Sequence, residues 1–160
     1  MEMHKTKNDL SKQTRNKVIE ILNARLADAS DLKSQAKQAH WNVKGIHFFQ
    51  LHELFDQVAT AADAHTDLIA ERVTALGGTA LGTVRMAAKN SSLSEYPLEI
   101  TDGTAHVDAL STALADFGKN VRKNIDDADK LGDASTADLF TEVSREIDKL
   151  LWFVEAHIQA

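Results

Sequence analysis

The chain has 160 residues, 18 of them basic and 24 acidic, for a formal net charge of −6, and 43% of it is apolar. That is one modest domain's worth of mass, too apolar for a disordered chain and too acidic for its body to act as a cationic nucleic-acid binder. The absence of cysteine excludes disulfides, zinc ribbons, iron–sulfur clusters and thiol catalysis, and suits a reducing cytoplasm.

The first residues, Met1-Glu2-Met3-His4-Lys5, lack the apolar stretch of a signal peptide, and no run approaches about 18 apolar residues. A cytoplasmic protein with no membrane partner is expected. With one proline and seven glycines, little of the chain is turn.

Residues 1–11 read as a flexible N-terminal arm ahead of a single domain. From Ser11, apolar residues at Val18, Ile21, Leu22, Leu26, Ala29, Leu32, Ala36, Ala39 and Val43 recur in steps of three and four. They predict one long amphipathic helix that runs unbroken to Gly45. A second stripe, from Phe48 through Leu51, Phe55, Val58, Ala62, Ile69 and Val73 to Leu76, stops at Gly77-Gly78, a C-terminal signal. Residues 79–103 hold Gly82, Asn90-Ser91-Ser92, Pro97 and Gly103; they break any long helix but leave room for a short one over Thr83–Lys89. The third stripe runs Val107, Leu110, Leu114, Phe117, Val121, Ile125. Ser135 with Asp138 three residues on predicts a capping box for a fourth helix along Leu139, Val143, Ile147, Leu150, Val154 and Ile158. Four long helices with a long second connection predict an all-α, ferritin-like four-helix bundle with one crossover, so that helices two and three run the same way.

Polar groups on the inner stripes need an explanation. His40 sits on the first stripe. His52 and Asp56 are four apart on the second helix, about 40° apart on one face, and Asp67 and Glu71 repeat that spacing further on. Imidazole nitrogen with carboxylate oxygen suits iron, manganese or zinc. Antiparallel first and second helices bring His40 to His52, with Asp56 one turn below. Asp67, 15 residues beyond His52, is about 22 Å along the same helix and cannot join them. Two separate sites are one solution. The other is a shared site, with Asp67 and Glu71 supplied by a second copy whose second helix packs antiparallel on this one across the small residues Ala59-Thr60-Ala61-Ala62. The Glu-x-x-His pair of di-iron bundles is missing, which favours the shared site. Taken singly, each residue also fits a plainer role: His40 as a satisfied core histidine, the carboxylate pairs as solvated surface.

The stretches Lys37-Gln38-Ala39-His40-Trp41-Asn42-Val43-Lys44-Gly45, Leu51-His52-Glu53-Leu54-Phe55-Asp56 and Asp67-x-x-Ala70-Glu71-Arg72-Val73-x-x-Leu76-Gly77-Gly78, with Asp148-Lys149-x-x-Trp152-Phe153 near the end, together resemble the Dps family, the DNA-protection-during-starvation mini-ferritins. The resemblance covers nearly the whole chain and implies a hollow dodecamer. Such a shell oxidises Fe(II), preferentially with hydrogen peroxide, at a ferroxidase centre between subunits and keeps the ferric oxide inside. It implies that His40, His52 and Asp56, with Asp67 and Glu71 of another copy, are the iron ligands, with zinc or manganese as competitors. It further implies that Trp41 shields the centre and that Arg72 steadies Glu71. Glu53 would serve mineral nucleation, while Asp133, Asp138 and Glu142 would line acidic pores that draw iron in. His4, His47, His65, His106 and His157 are expected to be ordinary surface or boundary histidines.

DNA is the alternative partner. Lys5, Lys7, Lys12, Arg15 and Lys17 outnumber Glu2 and Asp9 in residues 1–17, so twelve arms supply multivalent, salt-sensitive phosphate contacts. The protein would then be a nucleoid-associated DNA binder with secondary iron chemistry. Against this, the body is acidic, the C-terminus has no basic tail, and Lys12 onward falls within the first predicted helix. A third reading is a structural oligomer whose polar cluster is vestigial or holds zinc.

Overall fold

The computed structural model describes residues 3–159. Helix α1 spans Lys12–Asn42, α2 Phe48–Ala75, α3 Val84–Asn90, α4 Gly103–Lys130 and α5 Ala134–Glu155. Two antiparallel hairpins, α1–α2 and α4–α5, pack face to face through α1 on α4 and α2 on α5. The apolar stripes meet in one core containing Leu22, Leu32, Phe55, Ile69, Phe117, Phe140 and Ile147. This is the predicted bundle, with the short helix α3 inside the crossover.

The helix ends follow local chemistry. Ser11 caps α1 by accepting the Thr14 N–H at 3.0 Å. At the end of α2, Gly77 takes φ +85° while the Gly78 N–H returns to the Val73 carbonyl at 2.9 Å, a left-handed stop that a side chain resists. Gly132, at φ +79°, ends α4 the same way, with Asp133 N–H on the Ala128 carbonyl at 3.0 Å. That turn starts α5 earlier than the capping-box pattern predicts. The cap is Asp133, whose carboxylate accepts the Thr136 N–H at 3.0 Å, and Ser135 lies inside the helix.

The crossover is fastened to α1 by a buried carboxylate that the hydrophobic pattern does not flag. Asp28, wholly buried, receives the Ser92 N–H at 2.7 Å and pairs with Arg25 at 2.9 Å. A buried charge so paired and bonded is tolerated where a bare one is not. The crossover's far end is pinned beside the α1–α2 turn by the Lys44 N–H on the Thr101 carbonyl at 2.9 Å.

Residues 3–11 form no helix or strand. The arm makes one backbone hydrogen bond with the body, from the His4 N–H to the Gly77 carbonyl at 2.8 Å.

Candidate metal centre

The α1–α2 hairpin stacks His40 on His52, with ring centroids 3.7 Å apart and planes 21° from parallel. Each imidazole reaches the other's backbone: His40 Nδ1 lies 2.7 Å from the His52 carbonyl oxygen, and His52 Nδ1 2.8 Å from that of His40. A carbonyl only accepts, so both Nδ1 atoms carry the proton and donate it. In the neutral form this tautomer leaves the Nε2 lone pair for a metal, the tautomer that such an outer hydrogen bond selects in metal-binding histidines. The helix end makes this arrangement available. His40 is in the last turn of α1, and the amide four residues on, that of Lys44, is bonded to Thr101 instead. The His40 carbonyl would otherwise lack a donor.

Asp56 lies one turn past His52 on the same side of α2 and accepts from Lys37 Nζ at 2.6 Å. That hydrogen bond holds the Asp56 carboxyl below the usual carboxylate range, opposed by desolvation and helped by the charge of Lys37 and of the two histidines when protonated. Lys37, three residues before His40 on α1, is a neighbour that ligand chemistry alone does not single out. Its ammonium also lies 5.7 Å from the centre of the Trp41 ring. Trp41 is 65% exposed, so it is no core aromatic but a large apolar surface beside the histidines.

Asp67 and Glu71 are exposed further along α2, and the unbroken helix keeps them about 22 Å and more from His52. Among the described residues, no three His, Asp or Glu side chains of one chain gather into a metal-holding cluster. The structure therefore brings His40 and His52 together, sets Asp56 one turn along α2 without closing a three-residue cluster, and leaves Asp67 and Glu71 apart. Of the small residues between the two groups, Thr60 is exposed and Ala61 half-buried, whereas Ala59 and Ala62 are buried in the bundle core, so only two of the four lie on the outer face.

Several expectations need correction. Arg72 does not hold Glu71; its guanidinium donates to both Asp133 oxygens, at 2.8 and 3.0 Å, and to Thr136 Oγ1 at 2.9 Å. Asp133 is correspondingly buried, 2% exposed, and is an ion-pair partner and helix cap rather than a free pore acid. Asp138 and Glu142 are exposed on α5, Glu53 is exposed on α2, and Lys5, Lys7 and Lys12 are exposed as well. His4, His47 and His157 are exposed as expected, but His65 and His106 are buried, each about 1% exposed. Burial lowers the affinity of both rings for a proton, with Glu146 and Glu142 pulling His65 back and Asp102 doing so for His106. His65 occupies an inward position of α2, a signal readable from its place between Ala62 and Ile69.

No helix among the described residues is long and apolar enough to cross a membrane.

Residues 19–160 match the ferritin-like domain family. A curated relative called DNA protection during starvation protein, from Agrobacterium fabrum, is 49% identical over 99% of this chain and 98% of its own length. DNA protection during starvation protein 2 of Bacillus anthracis is 34% identical over 88% of this chain and 96% of its own. Among solved structures, the tetragonal form of Mycobacterium smegmatis Dps superposes with TM-score 0.94 at 30% identity, covering 99% of this chain and 96% of that one. Dps from Microbacterium arborescens, described as in the high iron form, superposes with TM-score 0.86 at 28% identity, covering 92% of this chain and 96% of that one.

Proposed function

The chain belongs to the Dps family of ferritin-like proteins, and from that membership we propose that it is an iron-storing ferroxidase, oxidising Fe(II) with hydrogen peroxide and sequestering the ferric product in a dodecameric shell. The observation that carries this reading is the reciprocal His40–His52 pair, which presents two imidazole lone pairs beside the Asp56 carboxylate. Two nitrogens and a carboxylate with no sulfur fit iron, and zinc or manganese would compete for the same donors. A centre with only three donors from one chain is completed by Asp67 and Glu71 of a second copy, whose exposed position on the same helix face supports a shared site. A relative solved in a high iron form is in keeping with iron as the substrate.

Iron is substrate here, and the balance is simple. Two Fe(II) ions lose one electron each, the peroxide O–O bond breaks, and both oxygens leave as water after taking up two protons. Delivering both electrons from neighbouring ions avoids the one-electron step that releases hydroxyl radical. Anionic oxygen ligands favour the harder Fe(III) and so drive the oxidation. Trp41 stands where a second copy would cover it and close the centre. Asp138 and Glu142 are the acids left to attract Fe(II) at a pore, and Glu53 to seed mineral. The location this implies is the cytoplasm.

The exposure of Lys5, Lys7 and Lys12 favours a second reading, DNA protection by direct binding at the nucleoid, in keeping with the name carried by the relatives. The tie of His4 to Gly77 counts against it, because a docked arm offers its cations less freely to phosphates.

Anaerobic loading with Fe(II), followed by limiting peroxide and optical detection of Fe(III), tests the first reading. Consumption near one peroxide per two Fe(II), with little radical trapped, is expected. Oxidation no faster or cleaner than in protein-free buffer would overturn it.

A further inference from the structure

We propose that His65 of α2 and Glu146 of α5 form a second site for a divalent transition-metal cation, separate from the one built on His40 and His52. The starting observation is a buried imidazole with nothing to bond. His65 is 1% exposed, and neither Nδ1 nor Nε2 has a hydrogen-bond partner. A ring left in that condition costs free energy that a bound group would return.

Glu146 stands next to it without completing the bond. Its Oε2 is 3.2 Å from His65 Nε2, but off the direction in which the ring N–H points, so the contact is not a hydrogen bond. Two donors each about 2.1 Å from one ion, and as far apart as these, subtend roughly 100° at it, an angle between tetrahedral and octahedral coordination. The separation thus suits neighbouring positions around a single cation better than it suits a direct pair. Nitrogen from imidazole and oxygen from carboxylate select a transition metal over calcium or magnesium.

Further charge stands nearby. The Glu146 side chain is 51% exposed in the single chain, so the carboxylate end of the pair meets solvent while the imidazole end is buried. Glu142 is one turn earlier on α5, and its charge is felt at His65. Water fills the positions that two protein ligands leave. Nine residues separate His65 from Asp56, about 13 Å along α2, so one cation cannot serve both places. The site does not depend on iron being oxidised at His40 and His52.

Equilibrium dialysis against micromolar Co(II) or Zn(II), using the assembled protein, tests the proposal. The reference is His52→Ala/Asp56→Asn, which disables the first centre. Into it are placed His65→Gln and, separately, Glu146→Gln. The reference is expected to retain a cation per chain that either further substitution weakens at least tenfold, and crystals grown with zinc should show an anomalous peak between His65 and Glu146. A reference that binds no cation, or a Glu146→Gln chain that binds as well as the reference, overturns the proposal. Glu146→Gln alters a half-exposed side chain and carries the test should the buried His65→Gln fail to fold. If wild type and reference bind equally, the His40–His52 reading fails while the site at His65 stands.

Discussion

His40 and His52 hold each other in place by exchanging hydrogen bonds between ring and backbone, at 2.7 and 2.8 Å. Orientation, tautomer and helix-end satisfaction are one arrangement, since the bond that fixes the His52 ring also satisfies the His40 carbonyl in the last turn of α1. Loss of either ring therefore removes one of the proposed ligands and loosens its neighbour.

For His52→Ala the expected outcome is a fall of tenfold or more in peroxide-driven Fe(II) oxidation. A loss of about 1–2 kcal/mol of stability should accompany it, because the His40 carbonyl is left without its donor. Stopped-flow absorbance of Fe(III) and denaturant unfolding measure the two effects. Unchanged oxidation would remove His52 from the ligand set.

Arg72 and Asp133 join the end of α2 to the start of α5. Asp133 is buried, and its carboxylate holds the guanidinium, the Thr136 N–H and the Thr136 hydroxyl together. Removing one partner strands the other charge, so Arg72→Ala should cost about 3–5 kcal/mol. Replacing Arg72 and Asp133 together by apolar residues should cost less than the two single changes added. A double-mutant cycle by urea unfolding reads the coupling, and additive effects would show that the pair is not the fastening.

Acid should weaken the fold through His106. Its Nδ1 is 2.7 Å from the Tyr96 hydroxyl. Burial pushes the tyrosine's ionisation up, so Tyr96 keeps its proton and donates it. Burial likewise depresses the histidine. A histidine depressed in the folded state binds its proton more readily when unfolded, so its contribution is intact at neutral pH. That contribution falls away as pH drops below the ordinary imidazole value of about 6.5, by up to about 1.4 kcal/mol per pH unit. Urea midpoints between pH 7.5 and 5.5 should decline in the wild type and decline less steeply in His106→Gln. Parallel slopes would assign the acid sensitivity elsewhere.

The apolar spacing carries the helices because each stripe has to be buried somewhere, and the glycine stops at Gly77 and Gly132 are local chemistry written in three or four residues. The meeting of His40 and His52 was legible for the same reason: it depends on one hairpin. What escaped depends on long-range pairing. Asp133 reads as one more acid after a charged helix end, and only the approach of Arg72, 61 residues earlier, turns it into a buried anchor. Asp28, bonded to Ser92 across 64 residues, was invisible in the same way. His65 had a local signal in its inward phase on α2, but its partner Glu146 did not.

Gly77 offers a way to separate the arm from the body. At φ +85° an alanine is strained by about 1–2 kcal/mol, and its Cβ would meet the His4 carbonyl oxygen at 2.7 Å. Gly77→Ala should therefore lift the arm from its seat while α1, capped independently by Ser11, stays formed. Trypsin should then cut after Lys5 and Lys7 markedly faster than in the wild type. If docking is what withholds these cations from phosphates, the variant should retard DNA at low salt where the wild type does not, and lose that binding steeply as salt rises. Faster cleavage without DNA retardation would separate arm mobility from DNA binding and leave the acidic body as the reason DNA is refused. Equal cleavage in both proteins would show that the single bond from His4 to Gly77 does not hold the arm in solution.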